Sequence, residues 1–188
     1  MSGTDKPSTS SSAGDFLEKG RSSPTAVTER LYAGNQQAAV SNRLDVELKQ
    51  LEAEPAAHAS AAPSLEKHHV WHCVIEGPAD SLYSEGVFFV DLHFPEDYPF
   101  SPPQIIWRTR IYHCNINSRG VVFHQKLNRE WVCTMTIRDI LNELVQLLYV
   151  PRPQDVRPVG VSPVVALYNE NKKLYEEKAR EWTKRYAW

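Results

Sequence analysis

The sequence predicts an α+β domain, an antiparallel meander of three or four strands with helices packed on one side, and three observations carry that reading. Apolar residues recur first at helical spacing (Val40, Leu44, Leu48, Leu51), then at every second position (Trp71 to Phe94), then at helical spacing again from Ile137 onward. Four prolines, Pro95, Pro99, Pro102 and Pro103, crowd one crossing after the alternating segments. The 188 residues leave room for one core of ordinary size plus a tail.

Met1 to Thr28 is rich in Ser, Thr, Gly, Asp and Lys, and its only large apolar residues, Phe16, Leu17 and Val27, are too few to offset the entropy of ordering. The expected organisation is therefore a disordered Ser/Thr-rich tail over residues 1–38 and one core domain over 39–188. From Val40 the apolar stripe marks a helix that ends near Pro55. Ala56 to Pro63 reads as a small-residue loop. Trp71, Cys73 and Ile75 then alternate with His72, Val74 and Glu76 until Gly77-Pro78, which is the pattern of a strand ending in a turn. In the next strand Phe88, Val90, Leu92 and Phe94 share one face. The proline crossing removes four backbone donors and so excludes both helix and central strand. Its Tyr98-Pro99 peptide is a candidate for the cis form, which costs little before proline. Ile105 to Trp107 form a third strand, and Thr109 to Leu127 is a long loop without sustained period, with a turn at Asn117-Ser118-Arg119-Gly120. Thr136 is the expected N-cap of a helix whose stripe is Ile137, Ile140, Leu141, Leu144, Leu147 and Leu148. After Pro151 and Pro153, one last helix turns Val164, Tyr168, Tyr175, Ala179, Trp182 and Tyr186 inward.

Charge and motif content exclude whole classes of function. With 21 Lys+Arg against 23 Asp+Glu, nothing draws the chain as a whole to nucleic acid or an anionic membrane, and no apolar run approaches the roughly 20 residues of a membrane span. Cys73, Cys114 and Cys133 are odd in number and lack Cys-x-x-Cys spacing, which speaks against a disulfide framework. With no apolar leader at Met1, a cytoplasmic or nuclear location is expected. His68, His69 and His72 are the one histidine cluster, but only residues two apart share a strand face and no carboxylate or thiolate joins them at ligand spacing, so no metal is expected. Phosphate-binding glycine loops and the Gly-x-Ser-x-Gly elbow are missing, and no cofactor is expected. His113-Cys114 is poor general-base geometry, because neighbours in extended chain point apart.

The proline crossing and the loop after it carry a family resemblance. Phe94-Pro-Glu-Asp-Tyr-Pro-Phe-Ser-Pro-Pro103 resembles the F-P-x-x-Y-P-F-x-P-P signature of ubiquitin-conjugating enzymes. Thr109-Arg-Ile-Tyr-His-Cys-Asn-Ile-Asn-Ser-Arg-Gly120 is similar to that family's T-x-I-Y-H-P-N-I-x-x-x-G run, Trp131 to Ile137 to its W-S-P-A-L-T-I, and Leu147 to Asp155 to its L-L-x-x-P-N-P-x-D. The similarity runs from about Arg43 to Ala187. It implies an N-terminal helix, a four-stranded antiparallel meander, a long active-site loop and C-terminal helices.

The resemblance also implies a chemistry that this sequence does not repeat. The family accepts ubiquitin as a thioester on a cysteine three residues after the loop glycine and eight before the tryptophan, and here that position, between Gly120 and Trp131, is Phe123. Two residues further on, an acid common in the family is Gln125. Asn115 matches the family's oxyanion donor and Asp155 its acid near the incoming amine, followed by a long loop, Val156 to Pro163. Cys114 stands where the family has proline and is the substitute nucleophile to consider; Cys133 and Cys73 are weaker candidates. Among partner-facing positions, Phe100 matches the aromatic that ligases grip, Cys133-Thr134 replace Pro-Ala, and Arg43 is what remains of the basic face offered to the activating enzyme, beside Asn42, Asp45 and Val46. Ser60 matches a position where family members bind a second ubiquitin noncovalently. The expectation is a catalytically silent variant that binds ubiquitin or a ubiquitin-like protein, an active conjugating enzyme, or a ligase, with no nucleic acid and no membrane involved. The rival is an active ubiquitin or ubiquitin-like transferase that uses a non-standard cysteine such as Cys114 or another nucleophile, and a third reading is a scaffold unrelated to ubiquitin, since fold does not fix function.

Overall fold

Period-two alternation folds into a four-stranded antiparallel sheet whose strands follow chain order: β1 (Ala59–Pro63), β2 (Val70–Glu76), β3 (Val87–His93) and β4 (Gln104–Trp107). The structure is a computed structural model and describes residues 24–156 and 162–188. On the inner face Cys73 pairs with Val90 and Val90 with Trp107, while Ile75 pairs with Phe88, and all five are buried. Each such large side chain contributes about 1.5–3 kcal/mol when fully buried, and a slip of one residue would turn the whole set to solvent. The outer face carries the rows Ser60, Val74, Phe89 and Ala62, His72, Asp91, Ile106.

β1 lies in the segment expected to be a loop. Its residues, Ala-Ser-Ala-Ala-Pro, bury too little surface for alternation to be legible, yet Ala59 and Ala61 are half-buried and Ser60 and Ala62 exposed. What makes it a strand is the free edge of β2, whose ladder it completes from Ala59–Ile75 to Pro63–Trp71.

Among the described residues four α-helices accompany the sheet. α1 (Pro24–Ala53) starts well before Val40. Residues 33–39 are exposed on every side, so they show no apolar period, and Gln36-Gln37-Ala38-Ala39 are good helix formers. Of the tail expected over 1–38, residues 1–23 lie outside the described residues and Pro24 onward is α1. The chain divides into two units, Met1–Gly34 and Asn35–Trp188. In the larger unit Val40, Leu44 and Leu51 of α1 are buried. α2 (Ile137–Tyr149) buries its predicted stripe and starts with a capping box in which the Asp139 N–H donates to Thr136 Oγ1 and the Thr136 N–H to Asp139 Oδ2. The expected single last helix is two, α3 (Pro163–Glu170) and α4 (Lys172–Tyr186). Asn171 divides them: its non-helical backbone ends α3, and its side chain accepts the Leu174 N–H to start α4.

Glu47 joins three of these parts. Although only 2% exposed, its carboxylate accepts Arg43 Nε–H, the Tyr98 hydroxyl at 2.8 Å and the Ile137 N–H at 2.6 Å. A buried charge is tolerated only when paired and hydrogen-bonded, and this one holds α1, the proline crossing and the start of α2 together. The Tyr98-Pro99 peptide is cis, as expected from an aromatic before proline.

Candidate functional site

The loop after β4 is held by its own backbone. Gly120 has φ +80°, and a Cβ there would stand 2.1 Å from the Trp107 carbonyl oxygen, so only glycine fits this turn. The Trp107 N–H donates to the Gly120 carbonyl at 2.8 Å, and Asn117 Oδ1 accepts the N–H groups of Arg119 and Val121. Upstream, His113 is fully buried. Its Nδ1 accepts the Asn115 N–H at 2.9 Å, so the proton sits on Nε2, which faces the Leu147 carbonyl at 3.0 Å. Burial lowers this imidazole to about 4, outweighing the bond to Leu147.

Asn115, the candidate oxyanion donor, is completely buried and uses its amide inside the molecule. Nδ2 donates to the carbonyls of Phe123 (3.0 Å) and Arg152 (2.6 Å), and Oδ1 accepts the Arg152 N–H (2.8 Å) and the Cys114 thiol (3.1 Å). Both N–H groups are spent. The side chain clips the loop to the turn after α2.

Cys114, the candidate substitute nucleophile, is 3% exposed and packs with Val156, Val165 and Tyr175. Burial pushes its thiol up to about 12, partly offset by the Tyr175 hydroxyl and nearby backbone. A thiol so placed is a neutral packing group. Tyr175 OH stands 3.1 Å from Tyr83 OH and accepts the Cys114 N–H at 3.4 Å. Phe123 packs half-buried against the same cluster, and its N–H donates to the Asn115 carbonyl at 2.8 Å. A largely apolar cavity of about 490 Å³ lies beside Phe123 and Cys114. The structure thus brings Phe123, Asn115 and Cys114 together, with the ring in contact with the cluster that covers the thiol.

Asp155 lies in a single 3-10 turn, Pro153–Asp155, and is 9% exposed; its Oδ2 accepts the Gln125 N–H at 3.1 Å. Most of the long loop expected after it lies outside the described residues. A polar cluster around Glu143 was missed by sequence reading. His124, 3% exposed, places Nε2 3.3 Å from Glu143, which also meets Lys126 at 2.7 Å and Arg152 at 3.8 Å. Desolvation first, then Arg152, lowers the His124 imidazole against the pull of Glu143. Glu143 lies between Ile140 and Leu144 on α2, and a charge beside an apolar stripe was the signal available. Glu47 on α1 offered the same signal.

The partner-facing candidates sit apart from this buried set. Phe100 is 79% exposed, Cys133 and Thr134 are exposed, and their loops are joined where Trp131 Nε1–H donates to the Pro99 carbonyl at 2.8 Å. Ser60 is exposed on the sheet's outer face, in line with Val74 and Phe89. Arg43 is engaged inward with Glu47 and the Met135 carbonyl, its side chain one-third exposed. Cys73 is buried, and its thiol is pushed up to about 12 by desolvation and then by Asp91. His68 and His69 are exposed, and His72 bonds Asp91 at 2.9 Å. Among the described residues no three His, Cys, Asp or Glu side chains converge on a point that a metal ion could occupy.

Residues 43–183 match a family model described as ubiquitin-conjugating enzyme.

Proposed function

The chain belongs to the ubiquitin-conjugating enzyme family and has its role in the ubiquitin pathway, and within that role we propose that it is catalytically silent and acts by noncovalent binding. Phe123 at the position of the family's nucleophile carries this reading. A phenyl ring offers no atom that can form a thioester. Two features of the surroundings support it. The neighbouring Cys114 thiol is buried and strongly disfavoured as thiolate, and both amide N–H groups of Asn115 are held by backbone carbonyls, leaving neither for a developing oxyanion.

The surfaces left to work with are those of recognition. Exposed Phe100, with Cys133 and Thr134 in the loop tied to the proline crossing, forms one face suited to a ligase, and the outer sheet face around Ser60 forms another suited to ubiquitin or a ubiquitin-like protein. The Phe89 ring, 56% exposed in the Ser60 row, adds the apolar centre that such contacts use. An active conjugating enzyme is a further partner of the same class. A cytoplasmic or nuclear location goes with this reading, and among the described residues no helix is long and apolar enough to cross a membrane.

The test is incubation with ubiquitin-activating enzyme, ATP and ubiquitin, followed by non-reducing and reducing electrophoresis. No thiol-labile adduct is expected. A robust adduct that disappears in Cys114→Ser would overturn the proposal. Titration with labelled ubiquitin examines the binding half, and Ser60→Arg is expected to weaken it; unchanged affinity would remove the outer face from the reading.

A further inference from the structure

Two shallow depressions adjoin along the segment that leaves β4. One, of about 460 Å³, is lined by Arg108, Arg110, Arg119 and Trp182; the other, of about 350 Å³, shares Arg108 and Arg110 and adds Tyr186 and Trp188. Neither lining contains an Asp or Glu. The whole chain carries a formal net charge of −2, so this concentration of arginine is local rather than a reflection of composition.

Most of this charge is unneutralised. Arg108 is 3.1 Å from Asp91, but among the described residues no carboxylate lies within 4.0 Å of Arg110, Arg119 or Arg185. Arg110 and Arg185 both lean on one ring, their guanidinium carbons 5.6 and 5.3 Å from the Tyr186 centroid. Two cations gathered at one ring raise the local positive potential, which an anion nearby would relieve. Trp188 is 92% exposed and Trp182 stacks edge-on between Tyr112 and Tyr186, so the cations are interleaved with apolar faces.

The backbone that carries these exposed side chains is held in place. The Arg108 N–H donates to the Phe89 carbonyl and the Phe89 N–H to Thr109 Oγ1, both at 2.8 Å, which pins the segment bearing Arg108 and Arg110 to β3. Asn117 closes the turn that bears Arg119. Guanidinium groups bind carboxylates in bidentate fashion, and on a held backbone only side-chain freedom is lost on binding.

We propose that this groove is a docking site for an acidic peptide segment, carboxylates flanking an apolar residue, on a partner protein. A nucleic acid fits less well. The two depressions are short, Arg108 is already shared with Asp91, and the chain as a whole is slightly acidic, whereas phosphate tracking draws affinity from many simultaneous contacts. The groove is separate from Phe100 and Ser60 but borders the outer sheet face, with which it shares Phe89.

Fluorescence anisotropy with the labelled peptide Glu-Asp-Leu-Phe-Asp-Glu tests the proposal on the full chain. Saturable binding is expected, weakening by about tenfold between roughly 50 and 250 mM salt. Arg110→Glu and Arg119→Glu are each expected to weaken it about tenfold or more, and the Gln/Asn version of the peptide should not bind. Circular dichroism checks each variant's fold, and Arg119→Gln on the exposed turn serves should a reversed charge disturb it. Absence of saturation up to about 1 mM peptide, or binding indifferent to both arginine substitutions, would overturn the proposal. So would a single-stranded oligonucleotide that binds more tightly than the peptide with the same arginine dependence.

Discussion

Three cysteines show how far one residue type can differ in a single fold. Cys73 lies on the inner face of the sheet and Cys114 in the buried cluster that Phe123 packs against, both with thiols raised to about 12 by burial, while Cys133 is exposed in the loop after Trp131. Reaction with a thiol reagent needs thiolate and access together. The native protein should therefore titrate one thiol quickly with Ellman's reagent, and Cys133→Ser should abolish that fast phase; a fast phase that persists and is lost in Cys114→Ser would show that Cys114 reaches solvent. Phe123 drew notice only through the family resemblance, whose register places it three residues after Gly120 and eight before Trp131. The commitment of the Asn115 amide was not legible, since its partners, Phe123 and Arg152, are brought together only by the fold.

Elements in this protein are joined by buried polar groups as well as by apolar stripes. Glu47 accepts from Arg43 within α1, from Tyr98 in the proline crossing and from the first residue of α2. Removing it would leave a tyrosine hydroxyl and a helix N-terminal N–H without a partner in a dry environment. Glu47→Ala should lower unfolding free energy by about 3–5 kcal/mol, read from urea denaturation. A loss under about 1 kcal/mol would mean that the three elements hold without it. The stripes of α1 and α2 were legible because burial at a 3.6-residue period leaves a mark on sequence. β1 left none, since alanine and serine differ too little in hydrophobicity, and its partner β2 decides its conformation. The break at Asn171 was open to reading only through its capping chemistry, because the apolar residues on either side continue at helical spacing.

For the whole molecule, buried imidazoles tie stability to pH. An unfolded histidine titrates near 6.5, whereas burial lowers His113 to about 4 in the folded protein. Above about pH 6.5 neither state holds the proton and the neutral ring's contribution is complete. Between 6.5 and 4 the unfolded chain alone takes the proton, so stability falls with pH, by about 3 kcal/mol in total. His124, lowered by desolvation and Arg152, acts in the same direction. Urea midpoints measured from pH 7 to pH 4 should decline, and His113→Gln should flatten the slope; an equal slope in the variant would assign the decline to other groups. Local spacing by itself determined the fold class, the helix stripes, the inner face of β2 and β3 and the family signature, because each is written in the order of neighbouring residues. Only the tertiary structure decided that Cys114 is buried, that the Asn115 amide is held by the Phe123 and Arg152 carbonyls, and that, among the described residues, no carboxylate pairs with the exposed Arg110, Arg119 or Arg185. Burial and charge pairing depend on segments far apart in the chain, and no local period records which of them will meet.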